Sequence, residues 1–109
     1  MATGVSIVLV TLPSEELAAS LARTLLDEGL IACANLLPKV RSIYRWKGTV
    51  CDEPEVLMVL KAPTSGFEAL RARVVELHPY ETPEVVRLEV LEGHGPYLDW
   101  ILGTRPDSE

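Results

Sequence analysis

Glutamine is missing from this chain and Asn35 is its only asparagine, a scarcity of thermolabile amides met in heat-adapted proteins. Cysteine occurs twice, at Cys33 and Cys51, 18 positions apart. Two such residues exclude a disulfide framework and offer no C-x-x-C pair for zinc or redox work. They predict a reduced, cytoplasmic setting. No apolar run approaches the roughly 18 residues that cross a membrane. No basic residue precedes the apolar Val5–Leu12 stretch, as a secretory signal would require. Basic residues are outnumbered 10 to 16, for a formal charge of −6, which argues against nucleic acid as a partner. The one local exception is Lys39, Arg41, Arg45 and Lys47, which reads as a solvated strand face.

What is present is enough for one domain spanning 1–109, with 48% hydrophobic residues to build a core without staples. Val5–Leu12 is a continuous apolar, β-branched run and predicts a strand buried on both faces. Ser14 then caps a helix whose first turn carries Glu15 and Glu16, suited to the positive end of its dipole. Leu17, Leu21 and Leu25, with Ala18 and Ala22, form its packing stripe, and Gly29 supplies a left-handed stop. Leu30–Leu37 and Ser42–Val50 read as a strand interrupted at Pro38, which implies a bulge or an edge position. The chain returns at Gly48 or at Asp52-Glu53-Pro54, and Glu55–Ala62 predicts an antiparallel partner strand.

Ser65 and Glu68 have capping-box spacing, and Phe67, Leu70, Val74 and Leu77 predict a second helix reaching about His78. Pro79 ends it, because the residue before a proline is pushed out of helical geometry. Glu84–Glu92 predicts the last strand, with Val86, Leu88 and Val90 inward and Arg87 and Glu89 outward. Tyr97–Leu102 reads as a short helix carrying Trp100, before a polar tail from about residue 103. The order β-α-β-β-α-β with right-handed crossovers specifies an α+β split sandwich, a four-stranded antiparallel sheet with two helices on one face. Since the first strand is apolar on both sides, the other face needs cover, and self-association supplies it.

Four blocks carry a resemblance: ACANLLPKVRSIYRWKG (Ala32–Gly48), EVLMVLKA (Glu55–Ala62), LHPYETPE (Leu77–Glu84) and YLDWI (Tyr97–Ile101). In this order and spacing the chain resembles the CutA divalent-cation tolerance proteins over nearly its whole length. The resemblance implies a ferredoxin-like homotrimer whose strand ribbons pair across subunits, similar in fold to the trimeric PII signalling proteins. It implies a binding or signalling role in divalent-metal tolerance, not an enzyme, with copper as the candidate ion. It also implies that Val10 and Leu77 stand where copper-binding relatives have a cysteine and a second histidine.

The candidate metal ligands are therefore His78 and Cys33. His78 reads equally as a helix-terminal histidine bonded to the last carbonyls, and Cys33 as a small buried hydrophobe. One histidine falls short of the three or four donors that Cu(II) or Zn(II) takes. Cys33, Lys61, His78, Tyr80 and Glu84 are the expected lining of an intersubunit pocket for a metal or small ligand, with a Lys61–Glu84 ion pair as the plainer reading of those two. Tyr44, Trp46 and Trp100 are the expected interface residues. Two rivals stand beside this reading, an enzyme using His78 as acid or base and a purely structural scaffold.

Overall fold

The computed structural model describes residues 2–103. The sheet has the order β2-β3-β1-β4, all antiparallel, which is the ferredoxin-like arrangement expected from the sequence. β1 (Val5–Leu12) lies in the middle, and α1 (Glu15–Asp27) and α2 (Phe67–Leu77) cover one face. Facing the helices, Val8, Val10 and Leu12 of β1 sit beside Leu60, Met58 and Val56 of β3 (Thr49–Pro63). Ala18, Leu21, Ala22 and Leu25 of α1 and Leu70 and Val74 of α2 close this core. Each fully buried aliphatic side chain contributes about 1.5–3 kcal/mol, so this layer holds the domain together. Ser6, 1% exposed in the same row, is satisfied by Thr64 at 2.6 Å and by Arg87, whose Nη1 donates at 3.0 Å.

α1 begins and ends as its local chemistry dictates. The Ser14 hydroxyl accepts from the Leu17 amide, and Gly29 takes φ 71° after the last turn while the Leu30 amide reaches back to the Leu25 carbonyl. Leu17 departs from the predicted stripe, being 45% exposed at the edge of the buried arc. α2 does not use Ser65 as its cap. A 3₁₀ turn over Thr64–Gly66 comes first, Gly66 occupies the cap position, and no side chain bonds the helix start. Leu77, the last residue of the predicted stripe, is exposed, and the helix stops there ahead of Pro79.

β2 (Cys33–Trp46) is one continuous edge strand. Pro38 is absorbed by a bulge between Leu37 and Val40, where Lys39 adopts φ 63°. The return is at Lys47-Gly48, both with positive φ, so β3 starts at Thr49 and runs straight through Pro54. β1 pairs only with Val56–Pro63, so residues 49–55 and their β2 partners project past the sheet as a two-stranded ribbon. Pro54 is tolerated there because that side of β3 has no third strand to receive its missing donor.

β4 is only Val86–Glu89, and the expected inward row is open: Val86 is 47% and Leu88 48% exposed. Register puts both beside Leu9 and Ile7 on the face without helices. α3 (Gly95–Leu102) covers one end of that face, where Ile101 packs with Val5 and Ala32. Ile7, Leu9, Leu57 and Val59 remain half-buried across its middle. The predicted polar tail lies almost wholly outside the described residues. Among the described residues no helix is long and apolar enough to cross a membrane.

Candidate functional site

Pro79 forces His78 into extended geometry (φ −77°, ψ 140°), which turns its ring back under the sheet. His78 is 8% exposed. Its Nε2 lies 2.6 Å from the Thr11 carbonyl, and its Nδ1 accepts from the Tyr80 amide at 3.1 Å. Those partners assign the proton to Nε2 and leave neither nitrogen free. Tyr80, tilted against the ring at 4.7 Å, is thereby aimed at the root of the ribbon.

There its hydroxyl donates to Glu55 Oε2 at 2.6 Å. Glu55 is the last β3 residue before pairing with β1 begins, and it is 8% exposed. The loop and the ribbon root enclose a cleft of about 510 Å³. Tyr44, Trp46 and Tyr80 supply its aromatic walls; Glu55, Glu84 and Glu81 supply its acids. Burial pushes the Tyr80 phenol well above the usual tyrosine range, and the bond to Glu55 pushes it further. Partial burial of its carboxyl, and then the Glu55 charge, raise Glu84, although the residue as a whole is exposed. At the mouth, Lys47 lies 3.6 Å from Glu81 and 5.8 Å from the Trp46 ring centroid.

The five residues expected to line one pocket occupy two places. Tyr80 and Glu84 line the cleft, with His78 behind Tyr80. Cys33 and Lys61 face each other across β2 and β3 at the opposite end of the strand pair. The six residues from Glu55 to Lys61 separate the two places by roughly 20 Å along β3. The Lys61–Glu84 ion pair therefore does not form; Lys61 Nζ lies 5.8 Å from the Tyr97 ring, which stacks on Trp100. Cys33 Sγ approaches Asn35 Oδ1 at 3.9 Å. Of the expected interface set, Tyr44 (42% exposed) and Trp46 (43%) stand at the cleft, and Trp100 (53%) is on α3. The basic set is partly matched by acids, Arg41 binding Asp52 through two bonds of 2.9 and 2.7 Å.

A metal on His78 and Cys33 does not fit this chain. His78's donors are committed to Thr11 and Tyr80, and Cys33 lies elsewhere. Among the described residues no three His, Cys, Asp or Glu side chains converge. Sequence reasoning missed Glu55, the carboxylate around which the cleft is built. The only trace was an acid at the very start of the apolar run EVLMVLKA.

The profile of the CutA1 divalent ion tolerance protein family matches residues 6–104. The chain belongs to this family. A divalent-cation tolerance protein CutA from Thermus thermophilus is 47% identical over 95 residues, covering 87% of this chain and 92% of its own length. A mouse protein CutA is 44% identical over 97 residues, 89% of this chain but only 55% of the mouse protein. The solved Thermus thermophilus divalent cation tolerance protein superposes with a TM-score of 0.89 at 44% identity, covering 93% of this chain and 98% of its own. Membership in the CutA family thus rests on the whole domain, including the ribbon and the loop that frame the cleft.

Proposed function

We propose that this chain is a cytoplasmic, trimeric ligand-binding module that serves divalent-metal tolerance through a small-molecule cleft, not through an ion on His78 and Cys33. The observation that carries this reading is the cleft itself, whose wall is fixed by the Glu55–Tyr80 bond at the ribbon root. Its size falls in the range of small-ligand pockets, and its apolar walls carry a few placed polar groups. Association is supported by the open apolar face, where Leu37, Val86 and Leu88 are exposed beside half-buried Ile7 and Leu9. Three copies in closed symmetry would bury that face and set each ribbon against a neighbour. A ligand at the ribbon root would then bias subunit packing, the kind of signal that resemblance to PII proteins implies.

A binding role is favoured over acid–base catalysis because His78 has no nitrogen turned toward the cleft. Cys33 lies too far away to be activated by it. Copper enters this reading as the challenge to which the module responds; no step runs through a bound ion. The test combines native mass spectrometry of the full chain with a fragment screen followed at the Trp46 indole N–H by NMR. A trimer in which fragments shift that signal, with the shifts lost in Tyr80→Ala, supports the proposal. A monomer, or a silent Trp46, overturns it.

A further inference from the structure

Glu55 is more than nine-tenths buried, yet only one of its oxygens is bonded, to Tyr80. Among the described residues Oε1 has no hydrogen-bond partner, and it is not sealed from solvent. Among the described residues no Lys, Arg or His nitrogen lies within ion-pair distance of Glu55 or of Glu84. A buried carboxylate without a counter-charge is expensive, and a second carboxylate in the same cleft makes it more so. Whatever occupies the space gains most by bringing positive charge to it.

The walls narrow the choice. Tyr44, Trp46 and Tyr80 bring three aromatic side chains to the lining, no imidazole or thiolate joins them, and among the described residues the acids do not converge as metal ligands. Ions such as calcium take six to eight oxygens, and transition metals prefer imidazole or thiolate. Aromatic faces instead favour weakly hydrated cations such as alkylammonium groups. The mouth already shows this preference, with the Lys47 ammonium against the Trp46 ring and Glu81.

We infer that the cleft selects a small organic cation, an alkylated or primary ammonium whose charge meets Glu55 and Glu84 and whose carbon surface lies against Tyr44 and Trp46. The inference rests on the small-molecule reading proposed above and names its ligand class. Ser42 and Thr11, on the same wall, add hydroxyls for the polar end of such a molecule. Binding weakens with added salt, because the attraction is carried by charge.

The test uses choline and its uncharged carbon isostere 3,3-dimethyl-1-butanol, titrated into the full-length protein at low ionic strength and followed by calorimetry and the Trp46 NMR signal. Saturable choline binding is expected, at least tenfold tighter than the isostere and at least tenfold weaker in Glu55→Gln. Glu84→Gln, at an exposed residue, carries the same comparison if Glu55→Gln does not fold. Equal affinity for choline and isostere overturns the inference, as does choline affinity unchanged in a folded Glu55→Gln. Displacement of choline by equimolar nickel or copper would also overturn it, in favour of a metal. If fragments shift Trp46 but choline does not, the cation class falls and the cleft reading stands. If nothing shifts Trp46, both fall.

Discussion

The hydroxyl of Tyr80 donates to Glu55 Oε2 at 2.6 Å across 25 positions of sequence, tying the proline-bounded loop to the root of the ribbon. A hydrogen bond to a charged group contributes about 1.5–3 kcal/mol, and its loss strands a buried carboxylate. Tyr80→Phe should therefore lower unfolding free energy in urea by about that amount. The double variant with Glu55→Gln should be less destabilised than the sum of the two singles, a coupling that a double-mutant cycle measures. Strict additivity would show that the bond is not formed in solution.

Acid and base should act through neighbouring groups in different ranges. Glu84 is raised above its ordinary 4.5 by burial and by Glu55, so the folded state holds its proton longer than the unfolded chain does. Its contribution is thus most favourable below the ordinary value and is lost as pH rises through the raised one. Glu84→Gln should stabilise the protein at neutral pH and leave stability near pH 4 little changed, as thermal melts across that range would read. Tyr80, raised above 10 by burial and by Glu55, acts in the same sense at alkaline pH. Its phenol should be the last tyrosine to ionise in an ultraviolet titration, and that late step should vanish in Tyr80→Phe.

His78 serves as a joint between α2, β1 and the loop, accepting from one backbone and donating to another. His78→Ala should cost about 2 kcal/mol or more, since it leaves buried backbone groups without partners. Copper retained per chain after dialysis, measured by elemental mass spectrometry, should be the same as in the parent protein. Loss of one ion per chain in a folded variant would return His78 to the ligand list.

The sequence showed where chain direction changes far better than which surfaces meet. Ser14 and Gly29 act on their own neighbours, so the first helix could be read from local chemistry alone. Pro38 was legible for the same reason, as a bulge on an edge strand, whereas Pro54 looked like a possible return and β3 runs straight through it. The alternation at Val86 and Leu88 correctly separated two faces of the last strand, but alternation does not say which face is covered. Glu55 was illegible because its burial is decided by Tyr80 and the ribbon root, not by its flanks. Cys33 and Lys61 were grouped with His78 by residue type, and six residues of extended strand undo such a grouping.

Leu88 stands in the open row of β4, 48% exposed beside Ile7. Leu88→Lys leaves the helix-covered core untouched and places a charge on the face proposed to meet other copies. Sedimentation velocity should show the proposed trimer giving way to smaller species, while circular dichroism stays that of the parent. An intact trimer in this variant would move the interface elsewhere.

The ribbon makes the molecule long in one direction, 44 Å against 28 and 23 Å. Seen mechanically it is a lever whose fulcrum is the Glu55–Tyr80 contact and whose free arm runs out to Gly48. That arm is roughly 20 Å long, so a tilt of about ten degrees at the fulcrum sweeps its tip through about 3–4 Å. Events at the cleft, however small, are therefore magnified where the arm touches its surroundings.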